Sequence, residues 1–268
     1  MALYSPSNNA TNVADMYFVN TRYSFKSSKH YNNHMRGYEN KKLILILSVI
    51  IILTNATVTS SQSIILSEDK QNIVLVVGFG PFLNYSINPS ELIAAELDGK
   101  TINNAEIIGL QVQPNLNNFT ESIEIVYQAI ENYHPNYVFS IGLAAKYKNI
   151  RIEKIGYNLK IENNENSSLE ILTPNGRLLR TSPFPTYSIV RELRKEKIPS
   201  QTGLYPGLSL CNGMLYSVLH YIDINGLQIK SGFIHVPLHK TEENPDGIDL
   251  QTMVNATKII IKFCLGYF

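Results

Sequence analysis

The sequence contains only two cysteines, Cys211 and Cys264, and the first lies where a thiol could do chemistry. Cys211 follows the turn-forming residues 206–209 and begins an apolar stretch, so we predict a helix over residues 211–222. Backbone N–H groups and the helix dipole favour a thiolate at a helix N-terminus, and the thiolate is the nucleophilic form of cysteine. A cysteine in an apolar segment is also a common small core residue. The segment alone therefore leaves both interpretations open.

Two further side chains could complete the chemistry of a cysteine nucleophile. His235 stands at the end of an apolar, strand-like run, where an imidazole could take the thiol proton. Glu153 lies in residues 150–161, which look like a shorter or edge strand, and a carboxylate bonded to the imidazole would fix its tautomer and stabilise its charged form. Taken singly, each has an ordinary interpretation. His235 could be a structural histidine whose hydrogen bonds are satisfied within a strand, and Glu153 could be a surface carboxylate.

A metal site is not predicted at these residues. His239 follows His235 by four positions, but Pro237 prevents the helical stacking that would bring both rings to one ion. Two cysteines also exclude a disulfide framework and a four-thiolate site, and they leave one bridge open.

The segments that carry these residues predict strands alternating with helices. Residues 72–77 form a continuous β-branched run, typical of a strand covered on both faces. After a turn-forming cluster, Asn88 could cap a helix with proline at its first position and Glu91 three residues after the cap. This cluster, residues 78–82, contains Gly78 and Gly80. A dinucleotide-binding loop needs a third glycine where this sequence has Leu83, so we predict no nucleotide site.

The same alternation continues to the end of the chain. We predict strands at 106–112, 137–143 and 231–236, shorter or edge strands at 150–161 and 170–172, and helices at 119–133, 185–197, 211–222 and 255–264. This order predicts the α/β class, as a three-layer α/β/α sandwich with a twisted, largely parallel central sheet. Functional side chains gather beyond the carboxyl ends of the strands in such sheets.

The N-terminal residues differ in character from this domain, which we place at residues 72–268. Residues 1–40 are polar and show no period, so we predict no stable structure there. Residues 41–62 have two lysines, a short apolar run and a small, polar exit, which is typical of a signal peptide and too short for a standard spanning helix. We expect translation from Met35 and an exported protein, with an uncleaved membrane anchor or a cytosolic location as alternatives.

The charge balance does not point to nucleic acid as a partner. The chain has 23 basic and 22 acidic residues, so it gives no reason to expect binding to nucleic acid.

Four motifs, in order, resemble those of the pyroglutamyl peptidase I family of cysteine peptidases. They are Gly78-Phe79-Gly80-Pro81-Phe82 with Asn88-Pro89-Ser90, Gly142-Leu143-Ala144 leading to Glu153 and Asn158, Gly207 with Leu210-Cys211-Asn212, and Gly232-Phe233-Ile234-His235-Val236-Pro237. The resemblance implies removal of an N-terminal pyroglutamyl residue from small peptides, without a metal or organic cofactor. It also implies a homo-oligomer, often a tetramer in this family.

The resemblance further implies a role for each matched side chain. Cys211 would be the nucleophile, His235 the general base and then acid, and Glu153 the orienting carboxylate. Aromatic residues would hold the flat, uncharged lactam ring. The predicted substrate-binding residues are Phe79, Phe82, Asn88 and Tyr147.

The chain departs from the family in the loop before the glutamate strand. Members commonly carry an arginine there that helps build the active site, and this sequence has Tyr147 in its place. Lys146 or Lys148 could supply a charge, but a lysine does not reproduce the arginine fork. Two alternatives therefore stay open: a hydrolase of another blocked N-terminus or small amide, and a non-catalytic binding protein on the same fold.

Overall fold

The computed structural model describes residues 71–115, 119–161 and 168–268. The chain divides into two units, Met1–Glu68 and Asp69–Phe268, and all the described residues belong to the second. The predicted polar segment 1–40 and the predicted leader 41–62 lie outside the described residues. Within the described ranges, no helix has both the length and the apolar character needed to cross a membrane.

The strands form one large sheet and two small two-stranded sheets. In chain order they are β1 (Ile73–Phe79), β2 (Thr101–Ile102), β3 (Ala105–Val112), β4 (Tyr137–Leu143), β5 (Ile150–Glu153), β6 (Ile155–Tyr157), β7 (Lys160–Ile161), β8 (Leu169–Glu170), β9 (Leu179–Thr181), β10 (Ser200–Gly203) and β11 (Lys230–Val236). The large sheet has the order β10-β5-β11-β4-β1-β3-β2, whereas β6 pairs with β9 and β7 with β8. Strands β3, β1, β4 and β11 run parallel, and the β5–β10 pair runs antiparallel to β11.

Helices cover both faces of the large sheet. They are α1 (Pro89–Leu97), α2 (Phe119–Tyr133), α3 (Thr186–Lys195), α4 (Leu210–Ile224) and α5 (Leu250–Tyr267). Helices α1, α3 and α5 share one core with Val74 and Val76 of β1, while α2 and α4 share the other with Leu75 and Val77. Successive β1 residues thus enter opposite cores, as the period of a strand requires. The predicted three-layer sandwich is confirmed.

The structure differs from the predicted elements where the hydrophobic pattern is weak. Strands β2, β9 and β10 were not predicted, because two of them are only two or three residues long and β10 is a polar Ser-Gln-Thr-Gly segment. The predicted run 150–161 is divided among three sheets as β5, β6 and β7. Helix α5 begins before the predicted residue 255, because Asp249 caps it by accepting a hydrogen bond from the Thr252 N–H.

Candidate active site

Cys211 lies in the first turn of α4. The chain enters this helix through Gly207, whose φ of +87° favours glycine, and Ser209 is the N-cap residue. The Ser209 side chain makes no capping hydrogen bond, so it does not occupy the N–H groups of the first turn. The Cys211 side chain is partly exposed and unbridged. Its thiol therefore has both access to solvent and the favourable end of a helix dipole.

His235 and Glu153 reach the same place from neighbouring antiparallel strands. Phe233 of β11 pairs with Glu153 of β5, and because His235 follows Phe233 by two residues, all three side chains lie on one face. The His235 Nδ1 lies 3.0 Å from Glu153 Oε1. His235 is 4 % exposed and Glu153 is fully buried. This short contact, shielded from water, leaves Nε2 of the imidazole for the thiol.

The environment of His235 favours its charged form. Burial alone would lower the pKa of His235, but the charge of Cys211, its hydrogen bond with the imidazole and the interactions with Glu153 outweigh burial. Together they raise the pKa of His235 to about 9. At neutral pH the structure therefore favours an imidazolium between a carboxylate and the Cys211 sulfur.

Two glycines, Gly142 and Gly203, leave room for Cys211 and Glu153 because they have no side chain. A Cβ on Gly142 would lie 3.2 Å from Cys211 Sγ and 2.8 Å from the Phe233 ring. Gly203 of β10 pairs with Glu153, and a Cβ there would overlap the Glu153 carboxylate. The sequence motifs included Gly142, but Gly203 was missed because its strand was not predicted.

A small cavity of about 130 Å³ opens beside Cys211. Its walls come from the ends of β1 and β4, the segments that follow β1 and β3, and the start of α4. The lining residues are Phe79, Phe82, Asn88, Pro114, Gly142, Leu143, Ser209, Leu210 and Cys211. The Phe79 ring stacks on Phe233, 6.5 Å between centroids, and Phe233 in turn meets the His235 ring edge to face at 4.9 Å. Three of the four predicted substrate-binding residues thus line one aromatic cavity next to the thiol.

Asn88 lines this cavity, but its amide is already engaged. Its Oδ1 accepts hydrogen bonds from the backbone N–H and the hydroxyl of Ser90, and its Nδ2 donates to the Gly80 carbonyl at 3.0 Å. Asn88 therefore caps α1 and holds the loop after β1, so that it shapes the cavity wall through its neighbours.

Tyr147, the fourth predicted substrate-binding residue, is not among the residues that line the cavity. The Arg151 guanidinium lies over its ring, with Cζ 4.1 Å from the ring centroid. The lysines on either side do not line the cavity either: Lys148 pairs with Asp246 at 2.6 Å, and the Lys146 ammonium lies 5.2 Å from the Tyr147 ring. Arg151, which the sequence motifs did not indicate, instead places a guanidinium nitrogen 3.4 Å from Glu153 Oε1.

Asn212 is a further positioning residue that the sequence analysis gave no role. It is fully buried, and its Oδ1 accepts from the Tyr157 N–H while its Nδ2 donates to the carbonyls of Tyr157 and Leu159. This amide ties the first turn of α4 to the strand that follows Glu153. Its place directly after Cys211 in the motif was the available signal.

Cys264 lies far from this chemistry. It is fully buried in the core between the sheet and helices α1, α3 and α5, whereas Cys211 packs in the core on the opposite face. Both thiols are free, so the single bridge left open by the sequence does not form in this structure. In the described ranges, His, Cys, Asp and Glu side chains form no group of three or more that could hold a metal ion.

Comparisons with known proteins show the family of this chain. The family model described as "Pyroglutamyl peptidase" matches residues 72–266. Similar curated proteins include the pyrrolidone-carboxylate peptidases of Halalkalibacterium halodurans, 29 % identical over 71 % of this chain and 98 % of that protein, and of Thermococcus litoralis, 30 % identical over 72 % and 93 %.

Solved structures of such enzymes share the fold. The pyrrolidone carboxyl peptidase of Thermococcus litoralis has a TM-score of 0.67 and 28 % identity, and the match covers 73 % of this chain and 94 % of that one. The Bacillus amyloliquefaciens pyroglutamyl peptidase I, at 24 % identity, has the same TM-score of 0.67 and supports the fold alone. The family model covers well over half of the chain, and the chain therefore belongs to the pyroglutamyl peptidase family.

Proposed function

We propose that the protein is a cysteine exopeptidase that hydrolyses the bond after an N-terminal pyroglutamyl residue. The observation that carries this proposal is the contact of His235 with both Glu153 and Cys211 at the wall of an aromatic cavity. Membership of the pyroglutamyl peptidase family supports the same substrate class.

The first half of the reaction transfers the acyl group to sulfur. The proton shared with His235 leaves Cys211 as a thiolate, which attacks the carbonyl carbon of the pyroglutamyl residue. Backbone N–H groups in the first turn of α4 face the developing oxyanion. The His235 imidazolium then gives its proton to the departing amine, the C–N bond breaks, and a thioester remains on Cys211.

The second half returns the enzyme to its starting state. The neutral His235 takes a proton from water, whose oxygen attacks the thioester carbonyl. The C–S bond breaks, pyroglutamate leaves, and Cys211 and His235 are again a thiolate and an imidazolium. Glu153 keeps the imidazole in one orientation through both steps.

The cavity favours an uncharged ring over a charged amine. Among the described residues that line it, none is an Asp, Glu, Lys or Arg, so a free α-ammonium group would lose hydration without gaining a carboxylate partner. Phe79 and Phe82 offer flat apolar surfaces that suit the lactam ring.

A pair of matched fluorogenic amides tests the proposal with the full chain under reducing conditions. We expect the pyroglutamyl amide to be cleaved and the prolyl amide, which has a ring of the same size but a charged amine, to be cleaved at least about a hundredfold more slowly. Equal rates on both amides would contradict the proposed specificity. Cleavage of an acetylated amino acid amide alone would support a hydrolase of another blocked N-terminus. A folded protein that cleaves none of them would support a binding protein.

We also propose that residues 41–62 export the enzyme. The two lysines directly before a short apolar run and a small-residue exit support this proposal. N-terminal sequencing of the expressed protein should find a start near residues 60–63, and an intact Met1 would contradict it. The homo-oligomer stays a prediction that light scattering can check.

A further inference from the structure

Arg151 occupies a position from which it can influence the charge of the site. It lies on β5 two residues before Glu153, and in the antiparallel pairing with β11 it stands opposite His235. Its side chain is only 14 % exposed. A guanidinium this buried needs close partners, because its charge has lost most of its water.

The first partner of Arg151 is the carboxylate that also holds the histidine. The Arg151 Nε lies 3.4 Å from Glu153 Oε1, the same oxygen that lies 3.0 Å from His235 Nδ1. The other oxygen, Oε2, is buried without a hydrogen-bond partner. Arg151 and His235 therefore share one acceptor atom of a fully buried carboxylate.

The second partner is the ring of Tyr147. The Arg151 Cζ lies 4.1 Å from the ring centroid, within the range of a cation–π contact. A tight turn sets the position of Tyr147, because its N–H donates to the Ala144 carbonyl at 2.9 Å. The loop after β4 thus holds a guanidinium from β5 against the carboxylate.

We propose that Arg151, held by Tyr147, is a positioning residue that shares the Glu153 carboxylate with His235 and so limits how firmly that carboxylate holds the histidine proton. The consequence is chemical, because His235 has to release this proton to the departing amine. An imidazolium held too firmly would be a poor acid. The inference rests on the proposed function, because only in that reaction does His235 give its proton to a departing amine. Its test does not require hydrolysis.

Among the described residues, the charged or titratable groups that face His235 come from α4 and β5. Helix α4 contributes Cys211, and β5 contributes Glu153 and Arg151. On the opposite side of β11, strand β4 places Gly142 next to His235 in the register. An effect on the histidine can therefore be traced to Arg151 by substitution.

The test follows the rate at which iodoacetamide alkylates Cys211 as a function of pH, with the pH profile of kcat/KM as a second readout. In the parent protein the alkaline step reports loss of the His235 proton. Arg151→Gln should move this step upward by about half a pH unit or more, because a neighbouring positive charge that opposes the imidazolium is gone. Alkylation proceeds whether or not pyroglutamyl amides are substrates, so failure of this proposal and failure of the proposed function are distinguishable.

Substitutions of Tyr147 test the second half of the proposal. Tyr147→Phe keeps a ring under the guanidinium and should leave the alkaline step in place, whereas Tyr147→Leu should shift it upward like Arg151→Gln, by a smaller amount. Lys148→Gln is the matched control, since it removes the same charge from the exposed pair with Asp246 and should shift nothing.

The proposal is overturned if the alkaline step of folded Arg151→Gln stays within about 0.2 pH units of the parent, which is small for a contact with a buried charge. It is overturned equally if Lys148→Gln shifts the step as much as Arg151→Gln does. Should Arg151→Gln fail to fold, Tyr147→Leu decides, and an unshifted step in that variant also refutes the arrangement.

Discussion

Cys211 and Cys264 lie on opposite faces of the same sheet, and their surroundings differ in each property that governs a thiol. Cys211 is in the first turn of α4, partly exposed and beside His235. Cys264 is in the last part of α5 and fully buried, and burial raises its pKa to about 12. A helix dipole favours a thiolate at the first position and opposes it at the second. Because both residues are cysteines, the comparison teaches that the helix end and the neighbouring histidine, and not the residue type, separate the proposed nucleophile from a core residue.

The largest effect should come from replacing each cysteine in turn. Cys211→Ala should lower kcat/KM for a pyroglutamyl amide by about 10³-fold or more, because the nucleophile is gone. Cys264→Ala should leave kcat/KM within about twofold and lower the free energy of unfolding by about 1 kcal/mol, as expected for a small core truncation. Steady-state kinetics and urea unfolding check both. Comparable losses of activity in the two variants would contradict the assignment of Cys211 as the nucleophile and Cys264 as a core residue.

Glu153→Gln should produce the next largest effect. The amide keeps the size of the side chain but removes the negative charge that holds His235, so we expect kcat to fall by about 10² to 10⁴-fold, on the scale seen for triad carboxylates. Glu106→Gln, on the exposed side of β3, is the control and should retain activity. An active Glu153→Gln enzyme would mean that Cys211 and His235 suffice without the carboxylate.

Gly203→Ala should have an intermediate effect, because the new methyl group would displace the Glu153 carboxylate. We expect kcat/KM to fall by about tenfold to a hundredfold through misplacement of the catalytic groups. Overpacking should also lower the free energy of unfolding by about 1–3 kcal/mol. Gly266→Ala meets no atom within 4 Å in α5 and should be neutral or slightly stabilising. Equal behaviour of the two variants would contradict the packing of β10 against Glu153.

The smallest effects should be those of pH. Because the pKa of His235 is raised to about 9, the imidazolium is lost above that pH, and kcat/KM should fall by about tenfold per pH unit there. The same group stabilises the folded chain fully below its unfolded pKa of about 6.5, and this contribution is lost as the pH rises through about 9. Unfolding of the parent and of His235→Gln at both ends of this window measures the difference. A parent whose activity is flat to pH 10 would contradict the raised pKa.

The sequence predicted most of the scaffold because the buried strands have strong patterns. The continuous apolar run of β4 was predicted with the observed boundaries, and the helix beginning after Asn88 follows its capping residues. Motif order also pointed to Cys211, His235 and Glu153, which the structure brings together.

The remaining features depend on contacts between distant segments, and a local pattern does not encode these. Strand β10 is short and polar, so neither it nor the role of Gly203 was predictable. Tyr147 was predicted to bind substrate, and in the structure its ring lies against the Arg151 guanidinium after the turn that follows β4. Asn88 was expected to bind substrate and is engaged with the loop after β1.

The most direct test of the central claim is to identify the residue that carries the acyl group. An activated pyroglutamyl ester, which acylates faster than an amide, is mixed with the full-length parent, the reaction is quenched in acid, and the peptides are mapped by mass spectrometry. The account predicts one pyroglutamyl group on the peptide that contains Cys211 and none on the peptide that contains Cys264. Turnover without an adduct on Cys211, together with full activity of Cys211→Ala, would contradict it.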